Sequence, residues 1–280
     1  MTTSRSRRPL LLRCLPRRLR GPAYYRLFSR DAASSAELFE AAELEHAPGT
    51  RLALQPGDIS HGEIAFTGLY ELGLTRRLVR LARAGGVLCD VGANFGYYTC
   101  LWAAQAAGNA VVAYEASERN HPALARNVER NGFAGRVRTF ALAVGRRGGT
   151  LPFFPGPEEQ TGWGGFASQS GSARREVAVV RLDEHLAGLG VESLAALKID
   201  VEGADAWVIA GAEGLLRARR IAHVFYEENK PCMAALGIAA GEAARVLEDC
   251  GYRVRALTDP GRDIVTCRAA PASATARLRA

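Results

Sequence analysis

The chain has 280 residues, enough for one large domain or two small ones with a substantial buried core. Hydrophobic residues make up 48% and charged residues 23%, which excludes a disordered or collagen-like chain. Nine of the 36 basic residues lie in residues 1–30, which contain no acid, so the other 250 residues carry 27 basic against 29 acidic residues. The net charge of +7 therefore belongs to an N-terminal arm, which weakens the case for a nucleic-acid-binding surface on the body, and no nucleic-acid partner is predicted.

Residues 1–33 are predicted to be a basic, flexible arm, either a solvated leader or a segment in weak contact with an anionic surface. Arg13 interrupts the apolar run 10–12, which excludes a secretory signal, and no apolar stretch reaches the roughly 18 residues of a transmembrane segment. The six cysteines have neither CxxC spacing nor paired histidines, which predicts reduced thiols and no metal site. These features favour a cytoplasmic protein.

Residues 34–84 are predicted to form a helical extension. The segment 34–44 begins with serines and has an apolar spacing suited to a short helix. The segment 69–84 places leucines on one face and arginines on the other, which is typical of an amphipathic helix. Gly85 and Gly86 end this extension.

The segment 85–267 alternates between short apolar runs and helical patterns. Continuous apolar strands that alternate with helices indicate a parallel sheet covered on both faces. The predicted strands are Val87–Val91, Ala110–Tyr114, Val137–Leu142, Leu197–Asp200 and Ile221–Tyr226. The predicted helices that accompany them cover about 97–107, 117–131, 204–217 and 241–250.

The C-terminal part departs from this alternation. The runs 252–258 and 263–269 are joined by Asp259-Pro260-Gly261-Arg262, a sequence that suits a type II turn between antiparallel strands. The predicted fold class is therefore α/β, a doubly wound, mostly parallel seven-stranded sheet with a C-terminal antiparallel hairpin. Residues 268–280 are predicted to be a flexible tail.

Ligands of open α/β sheets bind at the carboxyl ends of the strands, so the residues that follow each strand are the candidates for a site. The first strand ends in the loop 90–96, DVGANFG, whose G-x-x-x-G spacing lacks the glycine that a dinucleotide fold needs for a pyrophosphate. Alone, such a loop is more often an ordinary turn. Glu115 ends the second strand, where a carboxylate either accepts the hydroxyls of a ribose or sits at a helix start. Together the two features indicate an adenosine-bearing ligand without a pyrophosphate.

Several segments in this order resemble the FkbM family of S-adenosylmethionine-dependent methyltransferases. They are DVGANFGYYT, VVAYEAS with NHPALARNVERNG, FALAVG, LKIDVEGADAWVIAGAEGLL and a strand that ends in glutamate. The resemblance runs from about Gly68 to Leu257 and is most specific at 198–203. It implies the class I methyltransferase fold and S-adenosylmethionine as the cofactor. It also implies an O-methyltransferase that acts on a hydroxyl of a sugar, a glycan or a secondary metabolite.

The resemblance further implies which residues bind the cofactor. The loop after the first strand holds the methionine end, the acid after the second strand holds the ribose, and the residue after the third strand lies beside the adenine. The cofactor-binding residues predicted in this way are Glu71, Asp90, Gly92, Ala93, Asn94, Gly96, Glu115, Ala116, Ala143 and Asp200.

The ends of the fourth and fifth strands carry the candidates for catalysis. Asp200 or Glu202 is the predicted general base on the acceptor hydroxyl, with a helix cap as the alternative for the pair. Lys198 lies two residues before them, and Glu227 is a predicted acceptor contact. His223 is a second candidate base or a core histidine.

The glycine-rich loop 155–172 is long for a connector between strands. It predicts a lid over the acceptor, with Trp163 stacked on it and Phe166 nearby. Two other functions stay open: an NAD(P)-dependent oxidoreductase, and a non-catalytic cofactor-binding or scaffold protein of the same fold. The missing glycine argues against the first, and the intact set of carboxylates against the second. The sequence leaves the oligomeric state open.

Overall fold

The computed structural model describes residues 7–167 and 173–272. The helices are α1 Leu10–Cys14, α2 Arg17–Leu27, α3 Ala36–Glu40, α4 Ile59–Thr67, α5 Leu72–Ala82, α6 Tyr97–Gln105, α7 His121–Arg130, α8 Leu182–Gly188, α9 Asp205–Gly211, α10 Glu213–Arg217, α11 Lys230–Ala235 and α12 Glu242–Asp249. The strands are β1 Ala42–Leu44, β2 Ala47–Leu52, β3 Val87–Val91, β4 Ala110–Tyr114, β5 Val137–Phe140, β6 Ala143–Gly145, β7 Gly149–Phe153, β8 Arg175–Arg181, β9 Ala196–Ile199, β10 Val224–Asn229, β11 Tyr252–Ala256 and β12 Ile264–Pro271. Within these two ranges, no helix combines the length and apolar character needed to cross a bilayer. The cytoplasmic location stays a prediction.

A seven-stranded sheet forms the centre of the molecule, in the order β11-β12-β10-β9-β3-β4-β5. Its strands are parallel except β12, which runs antiparallel to β10 and β11. The predicted fold class is thereby confirmed. The strand order reverses between β3 and β9, and such a reversal opens a crevice at the carboxyl ends of the strands.

The sheet separates two apolar cores. Successive side chains of a strand point to opposite faces, so Leu88 and Val111 belong to one core and Cys89 and Val112 to the other. Helices cover both faces, which explains why β3 and β4 are almost continuously apolar.

The third predicted strand, 137–142, ends two residues earlier in the structure, because β5 ends at Phe140. β6 begins beyond the predicted strand, at Ala143, and pairs with β8 in a small sheet of order β6-β8-β7. This second sheet was not predicted, because β6 has only three residues and β7 and β8 are partly exposed. Its strands β7 and β8 flank the predicted lid loop, of which 168–172 lie outside the described residues.

Other bounds differ more modestly from the prediction. The segment 34–44 is helical only in α3 and then forms β1, which pairs with β2. The helix predicted over 204–217 is divided into α9 and α10, and the fifth strand begins and ends three residues later than predicted. The tail predicted from residue 268 begins inside β12, which continues to Pro271.

The prediction of a flexible arm is wrong for its described part, from residue 7 onward. α1 and α2 pack on the domain, and Leu12 and Tyr24 are only 1% and 2% exposed. Arg8 is buried and donates hydrogen bonds to the backbone carbonyls of Ala65 and Glu43. The prediction failed because composition does not distinguish an arginine that donates hydrogen bonds to buried carbonyls from an arginine exposed to solvent.

Leu12 and Leu10 offer a matched test of this packing, because they lie in the same short helix and Leu10 is 68% exposed. Leu12→Ala should lower the free energy of unfolding by about 2–5 kcal/mol, the usual cost of an emptied core position. Leu10→Ala should change it by less than about 0.5 kcal/mol. Urea unfolding of both variants measures the difference, and equal small effects would mean that the arm is not packed.

Candidate active site

A cavity of about 540 Å³ opens at the carboxyl ends of β3, β4, β9 and β10. Its volume lies in the range typical of small-molecule sites. It contains most of the predicted site residues. Those that line it are Glu71, Gly92, Ala93, Asn94, Glu115, Ala116, Ala143, Trp163, Phe166, Lys198, Asp200, Glu202 and Glu227.

The loop after β3 depends on a glycine at one position. Gly92 has φ +75°, and a Cβ atom there would lie 1.9 Å from the carbonyl oxygen of Asp200. No side chain fits this gap, so Gly92 is what allows the β3 loop to lie directly on the end of β9.

Glu115 is buried at the end of β4 and joins this loop to the next segment. Its Oε2 accepts a hydrogen bond from the backbone N–H of Asn94 (2.7 Å), and its Oε1 accepts one from Ser117 (2.9 Å). Burial raises the pKa of Glu115 to about 7, against the opposing effect of these two bonds. Each carboxylate oxygen keeps acceptor capacity for a ligand hydroxyl.

Asn94 carries an unsatisfied buried atom. Asn94 lines the cavity, and its buried Oδ1 accepts no hydrogen bond within the described part of the chain. A buried acceptor of this kind costs free energy unless a ligand supplies a donor. The ammonium and hydroxyl groups of an adenosyl amino acid are such donors, so Asn94 and Glu115 fit S-adenosylmethionine.

Lys198 is buried between the β3 loop and the end of β9. Its Nζ donates to the carbonyl of Gly92 (3.1 Å) and lies 3.3 Å from Oδ2 of Asp200 and 3.5 Å from Oδ1 of Asp90. Burial lowers the pKa of Lys198, but the charges of Asp200 and Asp90 outweigh it and raise the pKa above its ordinary value. The ammonium group of Lys198 therefore joins the loop after β3 to Asp200 at the end of β9.

Asp90 occupies a different place from the predicted one. It is fully buried behind the cavity wall, where its Oδ2 accepts a hydrogen bond from Thr99 Oγ1 (2.7 Å). It supports Lys198 and does not face the ligand space. Gly96 likewise begins α6 outside the lining.

Four further carboxyl groups line the cavity, those of Glu71, Asp200, Glu202 and Glu227. We call the part that they line the acceptor half. Burial, followed by the charge of Asp200, raises the pKa of Glu202 to about 8 and that of Glu227 to about 9. Asn229 Nδ2 donates to Oε2 of Glu202 (2.7 Å) and fixes its orientation.

Backbone strain is concentrated at this cavity. Four non-glycine residues in the described ranges have a positive φ, and Glu71 (+40°), Asn94 (+50°) and Glu202 (+52°) all line the cavity. The left-handed region is unfavourable for such residues and is often found at functional sites. Glu71 is exposed inside the cavity, and its Oε2 accepts a hydrogen bond from Tyr98 (2.7 Å).

The lid loop lies at the cavity, and Asp58, which the sequence analysis missed, holds it there. Oδ2 of Asp58 accepts hydrogen bonds from the N–H (2.8 Å) and hydroxyl (2.9 Å) of Thr161, while Oδ1 caps α4 through His61. The sequence Pro56-Gly57-Asp58 before a helix is a capping signal that could have identified Asp58 as a helix cap, but not its contact with Thr161. Trp163 is 54% exposed beside this attachment.

His223 is not part of the site. It precedes the amino end of β10, away from the cavity, and its Nδ1 lies 3.1 Å from Nη2 of Arg268. Burial, followed by the charge of Arg268, lowers the pKa of His223 to about 4. Of the two interpretations of this residue, the structure contradicts the catalytic one.

The known proteins that resemble this chain in sequence are methyltransferases. A family model described as the methyltransferase FkbM domain matches residues 90–254. The 31-O-demethyl-FK506 methyltransferase FkbM of Streptomyces tacrolimicus is 27% identical over 207 residues, which cover 64% of this chain and 76% of that protein.

Two similar solved structures are also methyltransferases. The methyltransferase FkbM from Methylobacillus flagellatus KT has a TM-score of 0.45 and 13% identity over 89% of this chain and 60% of its own. The O-methyltransferase from Bacillus cereus, in complex with SAH, has a TM-score of 0.46 and 14% identity over 89% of this chain and 94% of its own.

The family model spans more than half of the 280 residues and includes Glu115, Lys198 and Glu202. The resemblance found in the sequence is thereby confirmed, together with S-adenosylmethionine as the methyl donor that the family implies. An oxidoreductase is not favoured. The chain belongs to the FkbM family of methyltransferases.

Proposed function

We propose that this protein transfers the methyl group of S-adenosylmethionine to a hydroxyl oxygen of a small molecule or glycan. The observation that carries the proposal is the arrangement of Glu202, Asp200 and Glu227 around one cavity, beside the loop that fits the donor. A hydroxyl is a weak nucleophile, and a positioned carboxylate that takes its proton accelerates such a transfer. The similar protein from Streptomyces tacrolimicus is named as an O-methylating enzyme, which supports the same choice of atom.

S-adenosylmethionine supplies an electrophilic methyl group on a positively charged sulfur. Asn94 and Glu115 would hold it by accepting hydrogen bonds from its ammonium and hydroxyl groups. Asp200 and Glu71 bring acidic groups to the same cavity, which favours a cationic ligand. The chain thus provides binding, orientation and charge for the reaction.

Glu202 is the proposed general base. Its raised pKa of about 8 makes its ionised form a stronger base than an ordinary carboxylate, and Asn229 holds its orientation. Glu227, with a pKa of about 9, is largely protonated at neutral pH and can donate a hydrogen bond to the acceptor. We assign the base to Glu202 because the hydrogen bond from Asn229 orients its carboxyl group.

The function itself is tested by incubating the protein with S-adenosylmethionine and a panel of methyl glycosides, polyols and amines. Release of S-adenosylhomocysteine and a methoxy signal in the NMR spectrum of the product are expected with a hydroxyl acceptor. Methylation confined to nitrogen would contradict the proposed atom while leaving the methyltransferase family intact.

Glu115→Gln should weaken the binding of S-adenosylmethionine about tenfold to hundredfold, because charge-assisted hydrogen bonds to the ribose contribute roughly 1.5–3 kcal/mol. Calorimetric titration measures the dissociation constant. Glu118→Gln, which changes an exposed glutamate three residues away, is the control and should have no effect. The loss should be equal for S-adenosylhomocysteine, because both ligands share the ribose. An effect on only one of them would refute a ribose contact.

The proposed base predicts a pH dependence. The carboxyl of Glu202 must lose its proton to act, so kcat/KM should rise with pH through an apparent pKa of about 8 and then level off. Glu202→Gln should lower kcat by about 10²–10⁴ and remove the rise. Glu184→Gln, at an exposed position, is the control. A variant at 202 that keeps the wild-type profile would assign the base to another residue.

Trp163 is proposed to stack on the acceptor. Trp163→Ala should raise the KM for the acceptor about fivefold, because an aromatic contact contributes roughly 1 kcal/mol, and leave the affinity for S-adenosylmethionine unchanged. Trp163→Phe keeps an aromatic ring and should restore most of the loss. Steady-state kinetics with saturating donor make the comparison, and an unchanged KM in the alanine variant would contradict the contact.

A further inference from the structure

The exposed large apolar side chains of the described residues fall into two groups. One group lies on α1 and α2 and comprises Leu10, Leu11, Leu19, Tyr25 and Leu27. The other consists of Ile59 (44% exposed), Trp163 (54%) and Ile264 (48%), and all three line the opening of the active-site cavity. Single exposed apolar residues are ordinary on protein surfaces. Three exposed apolar residues that line one cavity from distant parts of the chain indicate a binding surface.

We call Ile59, Trp163 and Ile264 the apolar rim. The chain fixes its first two members together. Ile59 is the first residue of α4, and its backbone N–H donates to the carbonyl of Glu159 in the lid loop (3.0 Å). Asp58, the residue before it, holds Thr161 by two hydrogen bonds. Trp163 therefore stays beside the start of α4.

The third member is connected to the proposed catalytic group. Ile264 begins β12 and pairs directly with Asn229 of β10. Asn229 is the residue whose side chain holds the carboxyl of Glu202. The apolar rim is therefore continuous with the acceptor half of the cavity and is not a separate surface patch.

The side chains that line the cavity differ between its interior and its opening. Carboxyl groups of Glu71, Asp200, Glu202 and Glu227 line its acceptor half, whereas the rim at its opening is apolar. A volume of about 540 Å³ has to hold the donor and the reacting part of the acceptor together. The rest of a large acceptor must leave through the opening and pass over the rim.

We propose that the methyl acceptor is amphipathic. Its polar, hydroxyl-bearing head enters the cavity, and its apolar chain or ring system lies on the apolar rim. A small, wholly polar sugar would leave these three side chains in water. This inference rests on the proposed function, because it concerns the acceptor of the same site, and it adds the chemical class of that acceptor.

The test compares two ligands with the same head group, methyl β-D-glucoside and n-octyl β-D-glucoside, the second kept below its micelle concentration. Binding to the protein saturated with S-adenosylhomocysteine is measured by calorimetry. Octyl glucoside should bind at least tenfold more tightly, because part of its chain leaves water on the rim. Equal affinities, or no binding of octyl glucoside up to its micelle concentration, would overturn the proposal.

The double variant Ile59→Ser/Ile264→Ser should reduce the affinity ratio of the two glucosides to less than threefold. The matched control is Leu11→Ser/Leu27→Ser, which removes two exposed apolar side chains from α1 and α2 and should keep the wild-type ratio. Affinity for S-adenosylhomocysteine verifies that both variants are folded. A ratio that falls in the control as much as in the rim variant would show detergent binding elsewhere and refute the rim.

The two proposals fail in different ways. If no acceptor in the panel is methylated while the preference for octyl glucoside persists, the proposed function fails and the apolar rim stands. If glycosides are methylated but the alkyl chain changes neither their affinity nor their KM, the function stands and the amphipathic acceptor is wrong.

Discussion

The buried ammonium of Lys198 is the interaction on which the site depends. It contacts the carbonyl of Gly92 in the donor loop and the carboxylates of Asp90 and Asp200. An unpaired charge at such depth would cost several kcal/mol, so Lys198 is stable only while these groups remain in place. The donor loop and the end of β9 are therefore held in one arrangement, and the missing side chain of Gly92 lets the two backbones touch.

The electrostatics of the acceptor half depend on the same pairing of Lys198 with Asp200. Burial, followed by the charge of Asp200, which is paired with Lys198, raises the pKa values of Glu202 and Glu227. Carboxyls that repel one another in a buried space keep their protons to a higher pH, and a cationic ligand relieves that repulsion. The site is thus prepared electrostatically for a positively charged donor, and the strained backbone at Glu71 and Glu202 is part of what brings these groups together.

The predictable part of the site consists of residues that directly follow strands. Gly92, Glu115 and Asp200 could be placed because a buried apolar run shows where a strand ends, and the carboxyl ends of parallel strands meet at one edge. Asp58 and Asn229 could not be placed in this way. Their partners, Thr161 and Glu202, are 103 and 27 residues away in sequence, and no local pattern reports such contacts.

By itself, the sequence determined the sheet, its C-terminal hairpin and the methyltransferase family, because periodicity and strand-end motifs are local properties of the chain. The tertiary structure decided the rest. It placed Asp90 behind the cavity and His223 away from it, and it packed the arginine-rich segment on the domain. Burial and hydrogen bonding depend on which distant segments meet, and that information is present only in the folded chain.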